Sequence, residues 1–415
     1  MKDFATSDSA AVQAQLDRLA QLTVPDGRLG LETMRALLAR LGNPEKALPP
    51  VFHIAGTNGK GSTCAFLRAM LEAQGYRVHA TTSPHLVRYN ERIRLAGTLI
   101  SDDRLAQVLE EVLDIGFDLE PSFFEVTIAA AFAEFARVPA EACVVEVGMG
   151  GRFDATNVLQ PAVLAACGIA ALGIDHERFL LAPEDGVPAN PMARIAFEKA
   201  GIAKPGVPLV TLGSAYPPQA QAAIAEVART LGALLFEAES REWASPLGIP
   251  GRHQVQNAGL AIAMLRHQDK VAISEAAMQA GAASARWPAR LQRLSPGPLT
   301  GTREVWLDGG HNPSAGAALG EHFAGQRLHL IMGMLANKDP ASLTGPLAEN
   351  IVTLSAVPVP AHDYHPATIF GPQARAIADV PAALAALPDD GLPVLIAGSL
   401  YLAGEVLRLN AELPD

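Results

Sequence analysis

A lysine and two hydroxyl side chains set among closely spaced glycines are the residues whose types and spacing could do chemistry. They lie in Val51-Phe-His-Ile-Ala-Gly-Thr-Asn-Gly-Lys-Gly-Ser-Thr63. Gly56, Gly59 and Gly61, with Thr57 and Asn58 between them, turn the chain so that backbone N–H groups can converge on phosphate oxygens. A helix beginning at the end of the turn would add its positive dipole end. Lys60 would meet terminal phosphates, and the Ser62 or Thr63 hydroxyl a phosphate-bound Mg²⁺. The spacing differs from the usual phosphate loop: two residues, not four, separate Gly56 from Gly59-Lys60, and Gly61 precedes Ser62. A tight strand-to-helix turn accounts for the glycines, but not for Lys60 and Ser62 among them.

Other reactive side chains stand where apolar runs stop. Ser83 follows Arg77–Thr82, Glu146 closes Ala142–Val145, and Asp175-His176 follows a long uncharged stretch, Ala162–Ile174. A serine, a carboxylate and an imidazole beside a nucleotide phosphate would suit a divalent metal, with water at other positions. Each also has a plainer reading, as a turn hydroxyl, a strand-end ion pair or a loop imidazole. In the second half, Asp308 and His311 again follow an apolar run, in Asp308-Gly-Gly-His-Asn-Pro313.

The elements that must position these residues can be read from pattern. Val51–Ala55 is a short apolar run suited to a buried parallel strand, and Ser62–Gln74 has helical spacing up to Gly75. Two helices are expected in 8–42, and others over 101–115, 122–136, 217–232 and 258–266. Strands are expected at 77–82, 142–147, 207–212, 304–307, 328–332, 351–355 and 393–397. Residues 179–194 hold three prolines without periodicity and read as a surface loop, before a helix ending at Lys199-Ala200-Gly201. Strands alternating with helices predict an α/β fold: a doubly wound, mainly parallel sheet carrying an ATP-binding phosphate loop. A smaller Rossmann-like α/β C-terminal domain would follow, with residues 1–287 and 288–415 as the two domains. Ligands of such sheets bind beyond the carboxyl ends of the strands, where Ser83, Glu146, His176 and the glycine loop all fall.

Composition bounds the class. The chain has 415 residues, 49% of them hydrophobic, and a formal charge of −11. Its mean hydropathy is +0.18. This favours more than one core and disfavours a nucleic-acid partner. Three cysteines make no disulfide framework, the N-terminus has no apolar signal core, and no run is long enough to span a membrane. A cytoplasmic protein acting on small molecules is expected.

His53–Ser62, Thr82-Ser-Pro-His-Leu86, Val144–Asn157 and Asp308–Pro313 together resemble the folylpolyglutamate synthase family, within the Mur ligase superfamily. The match is narrower still to its bifunctional bacterial members, which also make dihydrofolate. It runs from about residue 28 to Gly404. The resemblance implies ATP-dependent amide formation, with L-glutamate joined to dihydropteroate or to the glutamate tail of reduced folates through an acyl phosphate. It implies ATP and Mg²⁺ as cofactors, with a monovalent cation as a further candidate; a monomer is expected.

Residue by residue, the resemblance gives Gly56–Ser62 to ATP, and Asn257, Arg290, Asp308 and His311 to the nucleotide as well. It gives Ser62, Ser83, Glu146, His176 and Lys199 to the metal, Lys199 as a carbamate. Lys60, His176 and Lys199 are thereby the catalytic set. The pterin-bearing substrate falls to Leu29, Gly30 and Leu31, to Ser122, Phe123, Phe124 and Glu125, and to Phe153, Asp154 and Ala155. Phe123 and Phe124 also fit ordinary core positions. One rival reading is a Mur-type ligase acting on a cell-wall precursor, although only about 50 residues precede the loop, too few for a separate nucleotide-sugar domain. Another is a nucleotide-dependent switch that joins nothing.

Overall fold

A computed structural model describes residues 6–22, 30–174, 177–239 and 246–414. Leu29 and His176, both named above, lie outside them. The chain divides into two compact units, one of residues 1–248 and 254–286, the other of 249–253 and 287–415.

The first unit is built on an eight-stranded sheet. In chain order its strands are β1 (Val51–Ala55), β2 (Val78–Thr81), β3 (Ile93–Leu95), β4 (Thr98–Leu99), β5 (Ala142–Glu146), β6 (Leu164–Ile169), β7 (Pro208–Thr211) and β8 (Leu234–Glu237). They lie in the order β4-β3-β2-β5-β1-β6-β7-β8. β2 with β3 and β3 with β4 are antiparallel, and every other pairing is parallel. All residues of β1 and β5 are buried, as expected for central strands covered on both faces. The chain leaves β1 for β2 on one side, then returns through β5 to β6 on the other. The switch point of the winding is therefore at β1, where a crevice opens beyond the strand ends.

The helix after β1, Lys60–Ala73, buries Phe66, Leu67, Met70 and Leu71, the apolar faces expected from its spacing. Asp102–Gly116 and Phe123–Arg137 start at Ser101 and Ser122, whose hydroxyls accept from the backbone N–H three residues on. The predicted helix over 258–266 starts earlier, at Gln254.

The second unit carries β9 (Gln292–Arg293), β10 (Val305–Asp308), β11 (Leu328–Met332), β12 (Ile351–Ala356), β13 (Ala374–Ala376) and β14 (Val394–Ala397). Their order is β13-β12-β11-β14-β10-β9, parallel except for the β9 edge. This is the smaller Rossmann-like α/β unit that the alternating pattern predicts. Leu330, Met332, Leu354 and Leu395 pack with Phe323 and Leu343 in its core.

The segment 179–194, expected as a loop, overlaps a short helix Glu177–Leu180 and gives its last four residues to the helix Pro191–Ala200. Pro191 opens that helix at a first-turn position that needs no N–H. The differences among strands lie at edges. β3, β4, β8, β9 and β13 were not expected. Strands of two to four residues at a sheet margin show too little alternation to register as strands. Among the described residues no helix is long and apolar enough to cross a membrane.

Candidate active site

Gly56 leaves β1 with φ 152° and Gly59 precedes the helix with φ 81°, conformations that side-chain-bearing residues rarely adopt. A Cβ on Gly56 would stand 2.8 Å from that of Ala170, and one on Gly59 would stand 2.2 Å from Asn257 Oδ1. Asn257 thus sits directly against the loop. The first half of the loop is laced to the segment after β6. Thr57 and Asn58 N–H both donate to Ala171 O, at 2.8 and 3.1 Å. Thr57 Oγ1 donates to Gly173 O at 2.8 Å and accepts from Gly173 N–H at 3.0 Å. The second half opens the helix, and no side chain caps its first turn. The N–H groups of such a turn have no acceptor within the helix, which makes them available to an anion.

Side chains from neighbouring strand ends converge on this turn. Glu146, 4% exposed, holds Oε1 at 4.0 Å from Lys60 Nζ, and its Oε2 accepts from Ser83 N–H at 3.1 Å. The register explains the meeting: Ile54 lies opposite Glu146, and Thr81 opposite Val145, in parallel ladders. Lys199 arrives from the helix Pro191–Ala200, is 4% exposed, and donates from Nζ to Gly56 O at 3.0 Å. One crevice is lined by Gly56, Thr57, Lys60, Val147, Gly148, Met149, Gly150 and Lys199. Among the described residues no three His, Cys, Asp or Glu side chains converge as a metal cage. Glu146 nevertheless offers a hard oxygen donor of the kind Mg²⁺ takes, next to Ser83, which it meets through the Ser83 backbone N–H. Ser62 is buried in the first turn of the helix after the loop.

The loop after β5 is fastened by its own side chains. Asp154 is buried, and its Oδ2 accepts from Met149 N–H at 2.8 Å while Oδ1 accepts from Thr156 N–H at 3.0 Å and from the Thr156 hydroxyl. Burial pushes this carboxyl above its ordinary value against those hydrogen bonds. Thr156 Oγ1 also meets Nε2 of His53, in the middle of β1, at 2.8 Å. Asn157 donates to Arg152 O and Gly201 O at 2.8 and 3.0 Å, and accepts from Lys204 Nζ at 2.7 Å. Arg152 N–H donates to Glu198 O at 2.8 Å. The loop is therefore stitched to the end of the helix that bears Lys199.

Of the residues expected at the pterin, Ser122 and Glu125 form a reciprocal cap: Glu125 Oε2 accepts from Ser122 N–H at 2.7 Å, and Ser122 Oγ from Glu125 N–H at 3.2 Å. Their visible part is to fix the first helical turn that presents Phe123 and Phe124, both half-buried. Phe124 packs on Gly148, where a Cβ would come within 2.4 Å of its ring. Phe123 lies edge-on to Tyr89, centroids 5.7 Å apart, and Arg92 sits 5.3 Å from the centroids of both rings. Arg92 Nε donates to His85 Nδ1 at 2.9 Å. Phe153 is half-buried under the Arg152 guanidinium, 4.3 Å from its centroid, and Ala155 is buried beside it in the chain. Gly30 and the buried Leu31 open the helix Glu32–Arg40. Sequence reasoning did not single out Arg92, Arg152 or Tyr89, and their ring contacts had no local signal beyond residue type.

In the second unit Asp308 ends β10, 7% exposed, with Oδ2 accepting from Leu291 N–H at 2.8 Å and Oδ1 from Gly310 N–H at 2.7 Å. Arg290 stands between Ala289 and Leu291, whose φ values of 55° and 44° are left-handed. His311 Nδ1 meets Gly309 O at 3.1 Å. Arg290, Asp308 and His311 are thus gathered at one end of the second sheet.

A glycine loop opening a helix at the switch point of a parallel sheet, faced by lysines and a buried carboxylate, marks an α/β enzyme that works on a nucleoside triphosphate. No protein-family model matches the chain. The dihydrofolate synthase/folylpolyglutamate synthase of Bacillus subtilis (strain 168) is 33% identical over 91% of this chain and 94% of its own. The dihydrofolate synthetase of Saccharomyces cerevisiae is 30% identical over 92% of this chain and 98% of its own. The bifunctional folylpolyglutamate synthase/dihydrofolate synthase of Yersinia pestis, solved with AMPPNP and a Mn ion, superposes with TM-score 0.82 at 27% identity, over 97% of this chain and 99% of that one. A bifunctional enzyme of the same description, with Mn, AMPPNP and L-glutamate bound, gives 0.81 at 29% identity, over 98% and 99%. The chain belongs to the dihydrofolate synthase/folylpolyglutamate synthase family, ligases that form carbon–nitrogen bonds.

Proposed function

We propose that the chain adds L-glutamate to dihydropteroate, forming dihydrofolate, and to the glutamate tail of reduced folates, releasing ADP and phosphate. The observation that carries this reading is the meeting of Lys60, Glu146, Ser83 and Lys199 around one phosphate loop, in a chain of this family. A carboxylate is a poor acyl donor until one oxygen becomes a leaving group. Transfer of the γ-phosphoryl group to the substrate carboxylate makes an acyl phosphate. The amine of glutamate then attacks the acyl carbon, the C–N bond forms, the C–O bond to phosphate breaks, and the amine gives up a proton.

The protein's part is positioning and charge neutralisation. The first-turn N–H groups and Lys60 hold and offset the phosphates, with Asn257 bracing Gly59. Arg290, Asp308 and His311 take the nucleotide-holding part given to the matching positions of the family. Ser62, Ser83, Glu146 and Lys199 would hold Mg²⁺, with His176 added by resemblance. Bound there, Mg²⁺ neutralises charge on the phosphate oxygens. Lys199 serves as a carbamate: the ammonium gives up a proton, the neutral amine attacks CO₂, an N–C bond forms and a second proton leaves, so a cation becomes an oxygen ligand. The half-buried Phe123, Phe124 and Phe153 offer faces to a flat pterin, with Leu29, Gly30, Leu31 and Ala155 around it. Asp154, Ser122 and Glu125 fix the turns that present them. The protein works as a cytoplasmic monomer.

Mass spectrometry of products from dihydropteroate or tetrahydrofolate with ATP and glutamate tests this reading. Both pterin substrates should gain glutamate, and ADP release should need the pterin carboxylate and glutamate together. Extension of reduced folate with dihydropteroate untouched would remove the first activity. ADP release without either substrate would favour the switch. Relatives matching almost end to end make a cell-wall ligase the weaker alternative.

A further inference from the structure

The proline-rich segment after β6 is the part of the first unit that the reading above leaves without a role. It enters the site through one carboxylate. Glu184 accepts from Arg152 Nη1 at 2.9 Å and Nη2 at 2.5 Å, a bidentate pair, and from Arg194 Nη2 at 2.7 Å. Both arginines also face Glu198: Arg152 Nη2 lies 2.9 Å and Arg194 Nη2 3.1 Å from its Oε1, and Arg152 Nε donates to Oε2 at 3.2 Å. Arg194 Nε donates to Leu180 O at 3.1 Å, closing the segment onto the helix. Side-chain exposure falls from 39% at Glu184 and 21% at Arg152 to 5% at Arg194 and 4% at Glu198.

Arg194 and Glu198 belong to the helix Pro191–Ala200, and Glu198 is the neighbour of Lys199. Arg152 belongs to the loop after β5 and lies over Phe153 and Phe197, at 4.3 and 5.0 Å from their centroids. Gly151 leaves no slack at this junction, since a Cβ there would meet Glu198 O at 2.7 Å and Lys199 Cα at 3.0 Å. Two arginines face two carboxylates, so the charges balance only with Glu184 in place. Without it, two largely enclosed cations share Glu198 alone, and like-charge repulsion pushes the loop and the helix apart. The arginines hold the Glu184 carboxyl down at about 2, so its own charge persists at any working pH, while burial pushes the Glu198 carboxyl up and makes Glu184 the firmer counter-charge.

We propose that Glu184 is a positioning residue. From the proline-rich segment it completes a clamp with Arg152, Arg194 and Glu198 that keeps Lys199 at the Gly56 carbonyl and Phe153 at the substrate side. The inference rests on the placement of Lys199 in the reaction described above. Its test includes a readout that does not depend on that reaction.

The full-length protein is compared as wild type, Glu184→Gln and Glu184→Asp. Lys199 acylation by an amine-reactive reagent, in CO₂-depleted buffer so that the side chain is a free amine, is followed by peptide mass spectrometry, alongside kcat, KM for ATP and thermal melting. Glu184→Gln should raise the Lys199 labelling rate roughly tenfold. It should lower kcat per folded molecule roughly tenfold, leaving KM for ATP within about twofold. Glu184→Asp, which keeps the charge, should recover most of both. Unchanged Lys199 labelling in Glu184→Gln overturns the clamp whatever the activity. So does a kcat loss that merely follows the folded fraction, or a failure of Glu184→Asp to recover either quantity. Altered labelling in a protein that makes no glutamate conjugate at all would instead count against the proposed reaction and leave the clamp standing.

Discussion

Adjacent parallel strands of the first sheet, β1 and β5, release loops of opposite character. The loop after β1 is made of backbone: glycines at φ 152° and 81°, no side-chain cap, and a helix start turned toward the crevice. The loop after β5 is fastened by side chains, with Asp154 and Asn157 satisfying its backbone, while Asn157 and the Arg152 N–H tie it to the end of the helix of Lys199. Beyond Asn58 one loop leaves its donors for a ligand, and the other closes its polar groups on the protein. A phosphate site needs both, an anion cradle that is open and a frame that does not move when the anion's charge shifts.

If that division is right, the largest effects on turnover come from the open loop. Lys60→Ala removes the lysine that the glycine loop itself carries, and turnover should fall roughly a thousandfold, about 4 kcal/mol of transition-state stabilisation. Melting should hardly change, because Lys60 lies in the open first turn and its ion pair with Glu146 is long at 4.0 Å. Steady-state ADP release and a melting curve on the same variant decide the point. Near-normal turnover in a folded variant would remove Lys60 from the mechanism.

Lys199→Ala comes next, with a loss of roughly a hundredfold. If the side chain works as a carbamate, short carboxylic acids added to the buffer should restore part of the rate, since a free carboxylate can enter the space left behind. Recovery of rate with added alkylamines, and none with carboxylates, would show that the ammonium is the working form. Lys199 already marks how far the sequence could be read. Val51–Ala55 with its glycines, and Ala142–Glu146 with its acid, were legible because a buried strand followed by a turn is a local pattern. The bond from Lys199 to Gly56 spans 143 residues, and only family resemblance brought the two together. Glu184 was out of reach for the same reason, its partners lying 10 and 32 residues away on separate elements. The roles of Ser122 and Glu125 were readable as a capping box, but their substrate assignment hid it.

In the fastened loop the larger effect should be on stability. Asn157→Ala removes donors to Arg152 O and Gly201 O and leaves Lys204 Nζ without its 2.7 Å acceptor. The expected cost is about 2–3 kcal/mol in denaturant unfolding, with kcat per folded molecule reduced only a few-fold. A variant as stable as wild type would show that the loop does not depend on its side chains, and the contrast between the two loops would lose its basis.

The smallest effect tests the link between the loops, the buried contact of His53 on β1 with Thr156. Desolvation, and then the positive Lys204, lower the His53 pKa from its ordinary 6.5 to about 3. Between those values the unfolded chain binds a proton that the folded protein refuses. Stability therefore rises with pH across this window and is lost as pH falls from 6.5 toward 3, at a limiting slope of about 1.4 kcal/mol per pH unit for one group. His85, lowered to about 3 by burial and then by Arg92, adds a slope of the same sign. At pH 5.5 the His53 share alone is about 1.4 kcal/mol. His53→Gln keeps a donor for Thr156 and cannot titrate, so urea unfolding of this variant from pH 7 to 5 should show a slope flatter by about 0.7 proton on average, approaching one at pH 5. A slope equal to that of the wild type would mean that His53 is protonated in the folded protein. β1 and the loop after β5 would then be joined by something other than a neutral imidazole.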